Sequence, residues 1–366
     1  MLGMAIDLST QLVFVASDEV DLESRNFLRR VRLAPDRLGV PGSASRDEPS
    51  WTRYVRASLE SIRPNLPDHP RGFTGIVSGG LPGSGLSSSA SVLLAYFSAW
   101  AEVNSISVSR EALVDLAVKA ENEYVGVQCG ILDPASIVHS EQGALLSIDA
   151  RTGEVDAIPL GAGKQGKSGK TVEPVFVIVF TGTDRSLLAT PFNDRVDACF
   201  EAARWVAERA GEDLEYRPRE VLRLGDLDAQ TLEDALDSIP EPIGRRARHF
   251  VEERARVQAA EQAWRVGDLV KLGALMSDSC RSSIENYETG SAELIALQDI
   301  WLDTPGVLGA RFSGGGFGGC SLALVDPVAV HDVMESVLHR FGEAYPALRD
   351  RARAIQVKSA EGLVVR

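Results

Sequence analysis

The chain has 366 residues, 44% of them hydrophobic and 25% charged. These are the values of a water-soluble globular protein, and the length suits two domains rather than one. The charge sum, 38 basic against 52 acidic residues or −14, argues against a nucleic-acid partner, which needs a basic surface.

No apolar run reaches 18 residues, so no membrane span is expected. MLGMAIDLSTQLVFVASDE (1–19) has no signal-peptide layout, and a cytoplasmic location is the expectation. The four cysteines, Cys129, Cys199, Cys280 and Cys320, lie at least 40 positions apart. That excludes a CxxC zinc or redox pair and leaves free thiols as the expectation.

In chain order, residues 10–16 and 73–78 are short apolar runs that read as strands. PGSGLSSSA (82–90) then leads into SVLLAYFSAWAEV, which is apolar all round and predicts a buried helix. Ser109 can cap a second helix, REALVDLAVKAENEY, with Glu121 at the edge of its apolar stripe. GAGKQGKSGKT (161–171) reads as a loop, VFVIVF (175–180) as a buried strand, and a domain boundary is expected near residue 170. Helices are expected over 191–210, over 243–283 (as two) and over Val328–Tyr345, strands over 320–326 and in the terminal IQV and LVV. Strands and helices without a strict βαβ alternation predict an α+β fold in two domains, 1–170 and 171–366.

Gly161 to Ser168 matches the P-loop pattern GxxxxGK[ST] letter for letter. That device needs a helix directly after it to present N–H groups to phosphate. Gly169 and Pro174 oppose such a helix, so the segment reads as a solvated loop.

Three other segments carry chemistry. In PGSGLSSSA, Gly83 and Gly85 let the backbone curl around an anion. Ser87, Ser88 and Ser89 then place hydroxyls at a helix N-terminus, whose N–H groups favour phosphate. In GVQCGILDPAS (126–136), Asp133 is an acid in apolar company, either a turn residue or a catalytic group. GARFSGGGFGGCSLALV (309–325) has five glycines in six positions, Gly314, Gly315, Gly316, Gly318 and Gly319. So little side chain suits close approach of a ligand.

Taken together and in this order, these segments resemble the GHMP kinase superfamily, and its galactokinase branch in particular. ENEYVGVQCGILD, RRARHFVEERARVQAAEQAW, SIENYETGSAEL and GARFSGGGFGGC carry the resemblance, which runs from about residue 4 to residue 325. It implies a two-domain fold with the active site in the cleft between domains, and ATP-dependent phosphorylation of a galactose-type sugar at its anomeric C1 hydroxyl. It further implies that Gly83, Ser84, Gly85, Leu86, Ser87, Ser88 and Ser89 hold ATP, that Ser89 and Glu121 hold Mg²⁺, and that Asp133 is the catalytic aspartate. Gly130, Asp133 and Phe192 are implied to meet the sugar, and Gly314–Gly319 to shape the phosphate loop from the second domain.

The pattern also departs from galactokinases. Pro134 follows the aspartate where glutamine is usual, Phe192 replaces a tyrosine, and Arg185 stands before Ser186-Leu187 where histidine is usual. SSIENYETG and GARFSGGGF also resemble galacturonokinases, and Arg185 or Arg195 could meet a uronate. A sugar- or nucleotide-binding regulator of the same fold is the competing reading from another class. The family's first motif, with a catalytic arginine and an acidic/His sugar clamp, has no match in residues 1–60. An N-terminally shortened chain of weak activity is therefore expected.

Overall fold

The alternating and continuous apolar patterns become sheets and helices in the computed structural model, which describes residues 1–27, 29–35, 51–80, 85–161, 173–183, 190–212 and 222–366. They divide into two units. The first is Leu2–Ala157 together with Ser359–Arg366; the second is essentially Ile158–Lys358. The division falls at residue 157/158 rather than near 170, and the last eight residues belong to the first unit instead of the second.

In the first unit, β1 (Leu2–Gly3) is followed by β2 (Thr10–Ser17), β3 (Val20–Ser24), β4 (Arg29–Leu33) and helix α1 (Thr52–Ile62). Then come β5 (Gly72–Gly79), α2 (Ser88–Val103), α3 (Arg110–Lys119), a π-helical turn at Ala120–Val125, α4 (Leu132–His139), β6 (Ala144–Ile148) and β7 (Val155–Pro159). One sheet has the order β2-β5-β3-β4, with β3 parallel to β5 and the other pairs antiparallel. A second has the order β1-β6-β7.

The core of this unit explains the all-apolar helix. Leu93, Leu94, Phe97 and Trp100 of α2 are fully buried, as are Leu22, Leu59, Ile62 and Phe73. Phe73 meets the Trp100 ring edge-on at 4.9 Å, and Trp100 Nε1 donates to Ser58 Oγ at 3.1 Å, so the one polar atom of that side chain is satisfied. Ser109 caps α3 as expected, accepting from Ala112 N–H at 3.1 Å.

In the second unit, β8 (Val175–Phe180), α5 (Phe192–Arg209), α6 (Ala229–Ala235), α7 (Ile243–Arg265), α8 (Leu269–Glu285) and α9 (Ala292–Leu302) precede β9 (Val307–Phe312), β10 (Cys320–Val325), α10 (Val330–Ala344) and β11 (Arg353–Val357). Its sheet is wholly antiparallel, β11-β8-β10-β9. Val177 and Val179 of the buried VFVIVF strand join Leu297, Trp301, Val333, Val337 and Phe341 in one core. Helix α8 lies against β9 at a glycine contact. A Cβ on Gly309 would stand 1.8 Å from Gly273 O, so the position has no room for a side chain.

Two sequence expectations change. The terminal LVV is not a strand, because its backbone turns to the end of α4 instead of to a sheet. Helix α3 stops at Lys119 and passes into the π turn, rather than running unbroken to Tyr124. The P-loop-like segment from residue 162 onward lies outside the described residues. The four cysteines are free, with Cys280 and Cys320 buried. No helix among the described residues is long and apolar enough to cross a membrane.

Candidate active site

The serine-rich segment forms the entry to α2. Gly85 has φ +81° and Ser87 φ +53°. A left-handed serine costs energy that glycine would not, and such strain concentrates at functional sites. Ser87 is the N-cap of α2, yet its side chain makes no capping bond to the helix. Its hydroxyl instead donates to the Asp133 carboxylate. The left-handed turn thus spends a cap worth about 1 kcal/mol to orient an acid from another helix.

Asp133 sits in the first turn of α4, just before Pro134, where a proline suits the start of a helix. Burial raises its pKa above the ordinary 3.8, and the Ser87 hydroxyl opposes that shift in part. An aspartate pushed in this direction is a better proton acceptor than one in water.

Glu121 is 3% exposed and lies in the π turn. Its own carbonyl accepts from both Gly126 N at 2.8 Å and Val127 N at 3.0 Å, which closes the widened turn. Such turns insert one residue into a helix and re-aim a side chain. Here the result is a buried carboxylate whose hydrogen-bond partners are the Ser89 hydroxyl and the Cys129 thiol, both donating. Burial is the largest effect and raises the Glu121 pKa; the nearby Asp133 charge adds to it.

Ser87, Ser89, Glu121, Cys129 and Asp133 therefore form one connected cluster in the first unit. Ser87, Ser89, Glu121 and Asp133 are among the residues expected from the sequence, and the structure brings them together. Sequence reasoning missed Cys129, whose thiol is driven up by burial and by Glu121, and Tyr54 on α1, pushed up to about 12 by burial and the Glu121 charge. Cys129 stood inside the quoted GVQCGILD motif; Tyr54 carried no signal beyond its place in α1.

The other expected residues divide into four groups. Gly83 and Ser84 lie outside the described residues, as does Arg185, whereas Leu86 and Ser88 lie on the loop and first turn that carry Ser87 and Ser89. Gly130 opens onto free space, since an added Cβ would meet nothing within 4 Å. Phe192 and the glycine loop belong to the second unit, with Phe192 the first residue of α5.

The loop of Gly314, Gly315, Gly316, Gly318 and Gly319 is anchored rather than floppy. Four of its glycines have positive φ, at Gly314, Gly316, Gly318 and Gly319. Gly316 O accepts from Ser291 N at 3.0 Å, and Gly319 O accepts from Thr181 N and Thr181 Oγ1, each at 2.9 Å. Ser291 belongs to the stretch that begins at Glu288, where the carboxylate gathers Arg195, Arg245 and Arg246. Arg195, a candidate for a uronate, is thus engaged with Glu288, donating also to its carbonyl at 3.3 Å.

No group of three or more His, Cys, Asp or Glu side chains is placed to hold a metal among the described residues. Glu121 and Ser89 offer a buried carboxylate and a hydroxyl in contact, a hard oxygen pair. Mg²⁺ commonly takes one or two carboxylates and completes its shell with water and phosphate oxygens, so this donor set fits it.

Comparison with known proteins agrees with the geometry. Residues 53–141 match the family model described as GHMP kinases N terminal domain, and residues 257–344 match GHMP kinases C terminal. A galacturonokinase of Arabidopsis thaliana is 32% identical over 361 residues, covering 94% of this chain and 82% of the relative. A galactokinase of Thermococcus kodakarensis is 30% identical, covering 100% and 93%. The crystal structure of Lactococcus lactis galactokinase complexed with galactose superposes with a TM-score of 0.82 at 28% identity, covering 98% of this chain and 87% of that one. A mevalonate kinase structure, at 16% identity and TM-score 0.61, shares the fold. With both family models matched and such relatives spanning nearly its whole length, the chain belongs to the GHMP kinases and is a sugar kinase of that family.

Proposed function

We propose that the chain transfers the γ-phosphoryl group of ATP to the anomeric C1 hydroxyl of a galacto-configured sugar. The observation that carries this reading is the connected cluster. One acid, Asp133, is held by Ser87 at the entry to α2, and a second, Glu121, is held by Ser89 two residues on, in the first turn. Their separate partners suit separate tasks.

The loop from Gly85 to Ser89 and the first N–H groups of α2 receive the phosphates, since a helix N-terminus presents unpaired donors and a partial positive charge. Ser89 and Glu121 would hold Mg²⁺, which when bound neutralises phosphate charge and orients the β- and γ-phosphates. Asp133 accepts the proton of the sugar C1 hydroxyl as its oxygen attacks phosphorus; ADP leaves, and the proton stays on the carboxyl until solvent takes it. Phosphoryl transfer asks mainly for positioning and charge neutralisation, which this arrangement supplies without a covalent intermediate. Gly130, three residues before Asp133, has open space where a side chain would stand, which suits the approach of an acceptor to its backbone.

Galactose ranks first as substrate because several similar proteins are galactokinases, including the structure complexed with galactose. Galacturonic acid ranks second, supported by the Arabidopsis thaliana relative. A soluble enzyme with small-molecule partners follows from the same reading. ADP release measured with galactose, galacturonic acid, glucose and mevalonate tests it. Galactose-dependent release is expected. Binding of ATP without release on any sugar would favour the regulator reading.

A further inference from the structure

We infer that residues 359–363 act as a positioning strap for α4, the helix that carries Asp133, and so take part in turnover without touching substrate. The inference rests on the reading of Asp133 given above.

Helix α4 has only eight residues, too few to be stable alone, so its placement depends on what holds its ends and flanks. At its C-terminal end the last carbonyls need donors. The chain terminus supplies them: Leu363 N donates to Ile137 O at 2.7 Å and Gly362 N to Ser140 O at 2.9 Å. Gly362 is pressed so close that a Cβ there would lie 2.4 Å from Ile137 O. Any side chain would force the strap and the helix end apart.

The strap is itself tied down on both sides. Ser359 bridges to Ile6, and Ala360 N donates to Ala5 O at 2.9 Å. Ser359 Oγ accepts from Gly143 N at 2.9 Å and Glu361 Oε1 from Gln142 N at 3.3 Å, both in the turn that follows α4. Ala5 N in turn donates to Ser140 Oγ at 2.9 Å. On another flank, β1 approaches so closely that a Cβ on Gly3 would overlap Ser136 Oγ, at 2.0 Å. The helix is held between β1 and the strap, while its first turn is left to Asp133 and Ser87. Mutual geometry at a reacting centre is exacting, and a shift of about 1 Å can cost about a hundredfold in rate. A strap that fixes the helix end therefore acts on kcat.

The test uses the full chain, a deletion of 359–366, Gly362→Val and, as a control, Glu335→Gln, an exposed residue of α10 outside the strap. Sugar-kinase kinetics, nucleotide affinity and amide hydrogen exchange over 132–140 are measured on each. The deletion and Gly362→Val should lower kcat about tenfold or more, with KM for ATP and nucleotide affinity within about twofold and faster exchange in α4. Glu335→Gln should match the full chain. Unchanged kcat with unchanged exchange overturns the inference. So does a loss of activity that only follows the fraction of folded, nucleotide-binding protein, because that is a structural effect. If the full chain phosphorylates no sugar, the functional reading fails, and the exchange of α4 still decides whether the strap holds it.

Discussion

Replacing Asp133 by asparagine separates catalysis from stability. The substitution keeps the shape and leaves an amide oxygen to accept from the Ser87 hydroxyl, but removes the carboxylate that takes the C1 proton. Loss of a general base costs about 10²–10⁴-fold in rate, or about 2.7–5.4 kcal/mol of transition-state stabilisation. Stability should move the other way. Burial raises the Asp133 pKa above 3.8, so its contribution to stability is full below that value and is lost as pH rises through the folded-state pKa. At pH 7 the charged form is the penalised one, and the amide removes the penalty. Thermal unfolding at pH 7 should therefore be unchanged or higher in Asp133→Asn, nucleotide affinity unchanged, and kcat down at least about a hundredfold. The assay is coupled ADP release beside a thermal melt of the same preparation. A variant with kcat within about threefold of wild type, or one that melts far lower, would refute the placing of Asp133 as a half-buried base.

The same sign argument covers Glu121, whose pKa is raised above 4.5: Glu121→Gln should not lower the melting temperature at pH 7, while turnover at low Mg²⁺ falls, as a Mg²⁺ titration of kcat would read. With both acids shifted upward, the acidic limb of kcat/KM against pH should lie above the ordinary carboxylate range, and a limb near pH 4 would contradict this. Gly85→Val, at φ +81°, should abolish nucleotide binding by calorimetry, whereas Lys167→Ala, in the segment that the sequence reads as a solvated loop, should leave it within about twofold. Gly316→Val, at φ +75° and with Thr289 Oγ1 3.1 Å from its Cβ, should lower the melting temperature by several degrees, at a cost of about 1–3 kcal/mol.

Much of this was legible in the sequence where one residue type had one physical use. The all-apolar run 91–103 had to be a buried helix, and VFVIVF a central strand. Motif order singles out Ser89, Glu121 and Asp133 as candidates. What joins them is not legible there. The sequence places Glu121 at the edge of a stripe of regular α-helix, but a π turn sets its direction, and that turn depends on Gly126 and Val127 returning to the Glu121 carbonyl. Ser87 reads as an ordinary cap, whereas its hydroxyl turns to an acid on α4, a choice made by tertiary packing. Helix α1 does carry a sequence signal, since Val55, Leu59 and Ile62 repeat at helical spacing and are fully buried. The terminal LVV looked like a strand because backbone partners leave no trace in side-chain pattern; its donors go to a helix end. The boundary expected near residue 170 follows a change of composition, whereas the two compact units divide at residue 157/158.

The central claim is transfer of phosphate to the anomeric oxygen. Its most direct test is phosphorus and carbon NMR of the product formed from ATP, Mg²⁺ and galactose, with the 366-residue chain at substrate-level concentration so that slow transfer still accumulates. A single phosphate coupled to H1 and C1, formed by the chain and absent with Asp133→Asn, is the predicted result. Phosphate at C6, or an equal yield of the C1 ester from Asp133→Asn, would contradict it.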